Sequence, residues 1–210
     1  MAMQSLFDTI IEYPEIHAKW LNTLSLMENT GAKKIKTCEH PIFVSETILK
    51  HAAEEARHAY FLKKQIKKMS TNACPTYERQ YLLAPKSSLT YLHRLDIQVS
   101  RYLKENYDFT VDKLKFAAYL LVTYAIEVRA DVLYPEYQAA LTKGNCPVSV
   151  RNIIVEEEQH LAEMNRQLDQ LFEDSERNRT AVCAMEMLLF ETWIKEVKNE
   201  VEESCLSVVD

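Results

Sequence analysis

His51-Ala52-Ala53-Glu54-Glu55-Ala56-Arg57-His58-Ala59-Tyr60 is the stretch whose reading decides the fold, and Glu156-Glu157-Glu158-Gln159-His160 repeats its pattern later in the chain. Each contains Glu-x-x-His preceded by a second acid. On an α-helix, positions i and i+3 lie ~60° apart around the axis and ~4.5 Å apart along it. A Glu and a His at that spacing reach one metal ion from one helix face. A single such pair is ordinary helix-surface chemistry, whereas two of them in long helical segments call for the remaining ligands.

The composition agrees with a helical chain. Of 210 residues, 47% are hydrophobic and 27% charged, which is soluble-globular usage at a length that suits one domain, residues 1–210. Only Gly31 and Gly144 are glycine, far too few for sheets joined by tight turns. A net charge of −6 gives no general attraction to nucleic acid or to anionic membranes. No apolar run approaches the ~18 residues that a membrane span needs, and the N-terminus lacks a signal-peptide pattern. The five cysteines, Cys38, Cys74, Cys146, Cys183 and Cys205, are scattered and form no C-x-x-C pair. That pattern fits free thiols in a reducing, cytoplasmic compartment better than a disulfide framework or a thiolate zinc site.

Apolar spacing and punctuation predict the helices. A short one covers 3–12, and Pro14 opens a second running to about 37, with Trp20, Leu21, Leu24 and Met27 inward. A third spans 41–70 from Pro41, with Val44, Ile48, Phe61, Leu62 and Ile66 on its apolar side. After a polar link, Ser87 and Ser88 read as the N-cap of a helix to about 106, with Leu89, Leu92, Leu95, Val99 and Leu103 as its stripe. Thr110 caps the next, 111 to about 142, which should bend near Pro135. Gly144 ends it, Pro147 opens another to about 173, and a final amphipathic helix covers 177–204. The fold class is all-α, with four long helices and two or three accessory ones.

Two isolated acids complete the site. From Phe116 to Ile126 no residue is charged, and then comes Glu127; burying a carboxylate there without a partner costs several kcal/mol. Glu28 continues the stripe of Leu21 and Leu24, and Gly31 follows one turn later, where glycine costs ~1 kcal/mol relative to alanine. Room beside the carboxylate is a reason for it. Glu28 and Glu55 are 27 residues apart and Glu127 and Glu157 are 30 apart, so the chain reads as two similar helix pairs. The 72 residues between Glu55 and Glu127 leave space for a crossover carrying the extra helix. Four carboxylates and two neutral imidazoles balance two divalent cations, and hard oxygen with imidazole suits Fe or Mn.

The set Glu28, Glu55, His58, Glu127, Glu157, His160, in that order, resembles the ligand set of the ferritin-like di-iron carboxylate superfamily. The resemblance covers about residues 14–173 and lies in the six ligands. It implies a ferritin-like four-helix bundle holding two Fe ions (Mn or a mixed Mn/Fe pair also fit) that reacts with O₂. It also implies that Glu54 orients His160 and Glu156 orients His58, each acid serving the opposite helix. Tyr124, one turn before Glu127, is the candidate for a tyrosine bonded to a ligand or lining a pocket, with an ordinary core aromatic as the alternative. The expected activity is an O₂-dependent oxidase or oxygenase acting on a small apolar organic substrate. An electron-donor protein would be its partner, and a homodimer is compatible. A ferroxidase or peroxide scavenger, and a non-enzymatic helical interaction protein, are the competing readings.

Overall fold

The computed structural model describes residues 3–39, 42, 44–69 and 73–206. Among them seven α-helices follow one another: α1 Met3–Glu12, α2 Pro14–Cys38, α3 Glu46–Ile66, α4 Pro85–Asn106, α5 Val111–Lys143, α6 Arg151–Leu171 and α7 Ser175–Leu206. Among the described residues there is no strand, only a short 3₁₀ turn at Arg79–Tyr81 between α3 and α4. None of the helices is long and apolar enough to cross a membrane.

Most boundaries follow from local chemistry. Pro14 sits in the first turn of α2, and Ser45 accepts from the Ile48 amide to start α3. Thr110 accepts from the Lys113 amide at the start of α5, and Gly144 closes that helix. The helix continues through Pro135.

Two starts differ from expectation. Ser87 and Ser88 lie inside α4, whose first turn holds Pro85 behind Ala84 in a left-handed backbone conformation (φ 44°). Their hydroxyls bond backward, Ser87 to the Ala84 carbonyl and Ser88 to that of Leu83, and Ser88 also accepts the indole N–H of Trp193. Pro147 does not open α6, which begins at Arg151. The side chains of Gln65 and Gln138 take the amides of Ser149 and Val150 and hold this approach outside the helix. The expected 41–70 helix is shorter, and its proposed ends, Pro41 and Ser70, lie outside the described residues.

The most extensive pairings are α2 with α3 and α5 with α6. Packed on these, α4 and α7 meet each other and α5, while α1 closes one end against α2 and α5. Trp20, Leu21, Leu62, Leu95, Val99, Leu103, Tyr137, Met164, Leu168 and Trp193 are buried, and Trp20 stacks on Trp193. Leu89, expected in the α4 stripe, is 42% exposed, and Val44, expected on α3, precedes that helix.

Candidate metal centre

α2, α3, α5 and α6 bring all six predicted ligands to one interior place. Glu28, Glu55, His58 and Glu157 form one group and Glu55, Glu127, Glu157 and His160 a second; in each, the ligand atoms lie within 4.8 Å of one another. Glu55 and Glu157 belong to both. All of these side chains except Glu28 are buried, and Glu28 is 12% exposed.

The imidazoles show how the cluster is wired. His58 Nε2 is 2.9 Å from Glu156 Oε2, and His160 Nε2 is 2.8 Å from Glu54 Oε2. Each acid therefore reaches the histidine of the opposite motif, the arrangement the resemblance implies. With Nε2 held outside, Nδ1 of both rings faces the carboxylates. His58 Nδ1 lies 3.0 Å from Glu157 Oε1 and 3.6 Å from Glu28 Oε2. It makes no aligned hydrogen bond with either. His160 Nδ1 lies 3.3 Å from Glu157 and 3.5 Å from Glu127. Of the two inward nitrogens, that of His160 is hydrogen-bonded to Glu157 and that of His58 is left without a partner; ligands converging in this way suit cations between them, and the donor set fits two such ions.

The charges of the cluster strain against one another. Burial, and then the charges of Glu28, Glu157 and Glu127, push Glu55 well above the carboxylate range. Burial and the neighbouring Glu157 do the same to Glu127. Burial opposes charge on His58 too, but the carboxylates of Glu157 and Glu28 outweigh it and raise this group to about 12. His160 is raised to about 9 against the same opposition, chiefly by Glu157 and Glu54. Glu157 is held below its ordinary range by Glu127, His160 and His58 although burial works the other way. Such a cluster retains protons where divalent ions would otherwise balance it.

The outer acids are tied down in turn. Arg57 clamps Glu156 through both nitrogens at 2.9 and 2.5 Å and approaches Glu54 at 3.9 Å. Its hydrogen bonds hold Glu156 below the ordinary carboxylate range. Neither Arg57 nor Arg129 neutralises the inner acids, because Arg129 pairs with Glu186 instead. Glu158 faces solvent.

Tyr124 stands away from this cluster: its half-buried ring lies under Arg179, and it makes no hydrogen bond to the six. The tyrosine at the site is Tyr134, buried, whose hydroxyl donates a short hydrogen bond to Glu28 Oε1. It stands two turns beyond Glu127 on α5, so the same face of the helix carried the signal. His51, two turns before His58 on a similar face and readable from the sequence either as bordering the site or as a core or rim histidine, is 1% exposed with its ring 4.6 Å from that of His160. His51 Nδ1 meets the Tyr119 hydroxyl at 3.0 Å, and Nε2 lies 3.5 Å from Glu163. Gly31 makes room for Glu55 itself, since a Cβ there would stand 3.1 Å from Glu55 Oε2.

Comparison of the chain with protein-family models, with curated proteins and with solved structures finds no match.

An apolar cavity of about 100 Å³ flanks the carboxylates between α2, α4, α5 and α7. Glu28, Glu55 and Glu127 open onto it, and Leu24, Ile35, Val122, Leu133, Phe190 and Trp193 are among its walls.

Proposed function

We propose that this protein is a di-metal carboxylate oxidoreductase that activates O₂ to oxidise a small apolar organic substrate. In this reading α2, α3, α5 and α6 are the four-helix core of a ferritin-like bundle, and α1, α4 and α7 are accessory helices. The observation that carries it is the pair of four-residue groups sharing Glu55 and Glu157. Two iron ions, or manganese in one or both places, would be held by Glu28, Glu55, His58, Glu127, Glu157 and His160, with Glu55 and Glu157 shared between them.

Such a pair supplies the electrons and the Lewis acidity that O₂ activation needs. The protein's own residues do the rest. Glu156 and Glu54 fix the outer ring nitrogens of His58 and His160, which turns both Nδ1 atoms inward. Tyr134 restrains Glu28 on the cavity side. The apolar walls exclude water and bring an organic molecule against Glu28, Glu55 and Glu127. That cavity favours an organic substrate over a ferroxidase that only handles iron. An electron-donor protein is the partner this reading requires.

Elemental analysis of the aerobically purified protein tests the proposal. Two equivalents of iron or manganese per chain are expected, with a lower melting temperature after chelation. Protein that carries no metal and melts at the same temperature with and without chelator would sink the reading. Repeated Fe(II) oxidation that deposits ferric mineral in a large assembly would select the ferroxidase instead.

A further inference from the structure

The acidic cluster is covered by helices on one side and closed by side chains on the other. α4 packs on α2 and α5, and α7 on α4 and α5, so the α2–α5 side is covered and its cavity is walled mainly by apolar groups. That cavity takes no wall from α6 and only Glu55 from α3, so the α3–α6 seam lies on the far side. There α3 packs on α2 and α6 on α5, yet α3 and α6 bring almost no backbone within 8 Å of each other. Among the described residues α3 packs appreciably against no other helix, and α6 only lightly against α7.

What spans the seam is polar. Glu156 on α6 meets His58 on α3, Glu54 on α3 meets His160 on α6, and His51 Nε2 lies 3.5 Å from Glu163. Arg57 fastens these links from outside, because its guanidinium bonds both oxygens of Glu156 and also stands 3.9 Å from Glu54. Lys50 Nζ approaches Glu54 more loosely, at 4.0 Å. Exposure falls in steps along this line: Arg57 is 51% exposed, Glu54, Glu156 and Glu163 are partly exposed, and His58 and His160 are buried.

That order suits the passage of a cation. An ion crossing the cavity on the other side would shed its water among mainly apolar walls, with little to replace it. On the seam three carboxylates draw it in, and each stands beside a histidine of the cluster or its neighbour His51. The charges opposing it are Lys50 and Arg57, and Arg57 already occupies both oxygens of Glu156. An ion pair as exposed as this one shifts an equilibrium by only about fivefold, so it opens readily. We propose that the α3–α6 seam admits divalent cations to the inner cluster and that Arg57 is its latch. When Arg57 swings off Glu156, both oxygens of that acid are free for an arriving ion and the two helices lose their outermost tie. The proposal rests on the di-metal reading and adds to it the point of entry and the residue that controls it.

Metal uptake and release by the chelator-treated full-length chain are the test. Because Arg57 is half exposed, Arg57→Met leaves the core intact. Mixed anaerobically with Co(II) and followed by stopped-flow absorbance, this variant should load about fivefold faster than wild type. Challenged with excess chelator, the loaded variant should also release Co(II) about fivefold faster, so that affinity moves much less than either rate. Arg57→Lys, which keeps the charge and loses the two-pronged bond, should fall between the two. Uptake at the wild-type rate or slower overturns the proposal. Faster release without faster uptake overturns it as well, because that is the signature of a residue that only holds Glu156 in place. In either case Co(II) bound at two equivalents per chain leaves the di-metal reading standing. No Co(II) uptake by wild type or variant removes that reading, and the latch with it.

Discussion

The histidines of the centre depend on residues that never touch its interior. His58 and His160 each offer Nδ1 inward because Nε2 is held by an acid from the opposite motif, Glu156 for one and Glu54 for the other. Removing such a partner costs a metal site ~10–100-fold in affinity. Glu54→Ala should therefore weaken Fe(II) or Mn(II) binding by about that factor, measured by competition with a chelator. The melting temperature of the metal-free variant should stay close to wild type, since Glu54 is partly exposed on α3 and buries no apolar surface. Unchanged metal affinity would show that Glu54 does not orient His160. These crossed pairs were legible through the resemblance, because each motif carries its extra acid in the sequence. Tyr134 was not: nothing in the run Leu133-Tyr134-Pro135 distinguishes a tyrosine aimed at Glu28 from the buried Tyr137 one turn on, and Tyr124 stood nearer in sequence to Glu127.

At the scale of an element, α2 carries a glycine that helix propensity opposes and the site requires. Gly31 sits in the third-to-last turn of a helix that runs on to Cys38, where alanine would be favoured by ~1 kcal/mol. A methyl group there would stand 3.1 Å from Oε2 of Glu55, a residue that belongs to both ligand groups. Gly31→Ala should split stability from function. Metal-free protein should gain up to ~1 kcal/mol in denaturant unfolding, while metal affinity falls because Glu55 is displaced by a few tenths of an ångström. A variant that gains stability and binds metal as wild type does would show that Glu55 has room to move. The starts of α4 and α6 carry a different lesson. Ser87 and Ser88 look like caps by composition, and Pro147 like a first-turn residue. Side chains distant in sequence, Trp193 for α4 and Gln65 and Gln138 for α6, set where those backbone and hydroxyl groups bond. Local signals cannot anticipate a hydrogen-bond partner that arrives from another helix.

For the molecule as a whole, pH acts through a histidine far from the carboxylates. His17 is 1% exposed where α1, α2 and α5 meet, with Nε2 on the Tyr137 hydroxyl and Nδ1 4.0 Å from Cys146 Sγ. Burial lowers it from 6.5 to about 4. The unfolded chain therefore takes up a proton first on acidification. The contribution is complete above pH 6.5 and is lost as pH falls from there towards 4, by up to ~3 kcal/mol. Wild type should lose more stability than His17→Gln between pH 7 and 4.5, read by chemical denaturation at each pH. Parallel slopes for the two proteins would show that His17 is no such switch.

By itself the sequence determined the helical class, the order of the long elements and all six residues of the acidic cluster. Periodicity, proline and glycine placement and the i, i+3 spacing are local properties that a helix imposes whatever surrounds it. The structure alone decided that Tyr134 borders the cluster, that His51 stands beside His160 rather than elsewhere in the core or rim, that Arg129 answers Glu186 rather than Glu127, and that an apolar cavity opens beside Glu28, Glu55 and Glu127. Those facts depend on how α2, α4, α5 and α7 sit against one another. That packing is fixed by many weak contacts between residues far apart in the chain, and no short stretch of sequence records it.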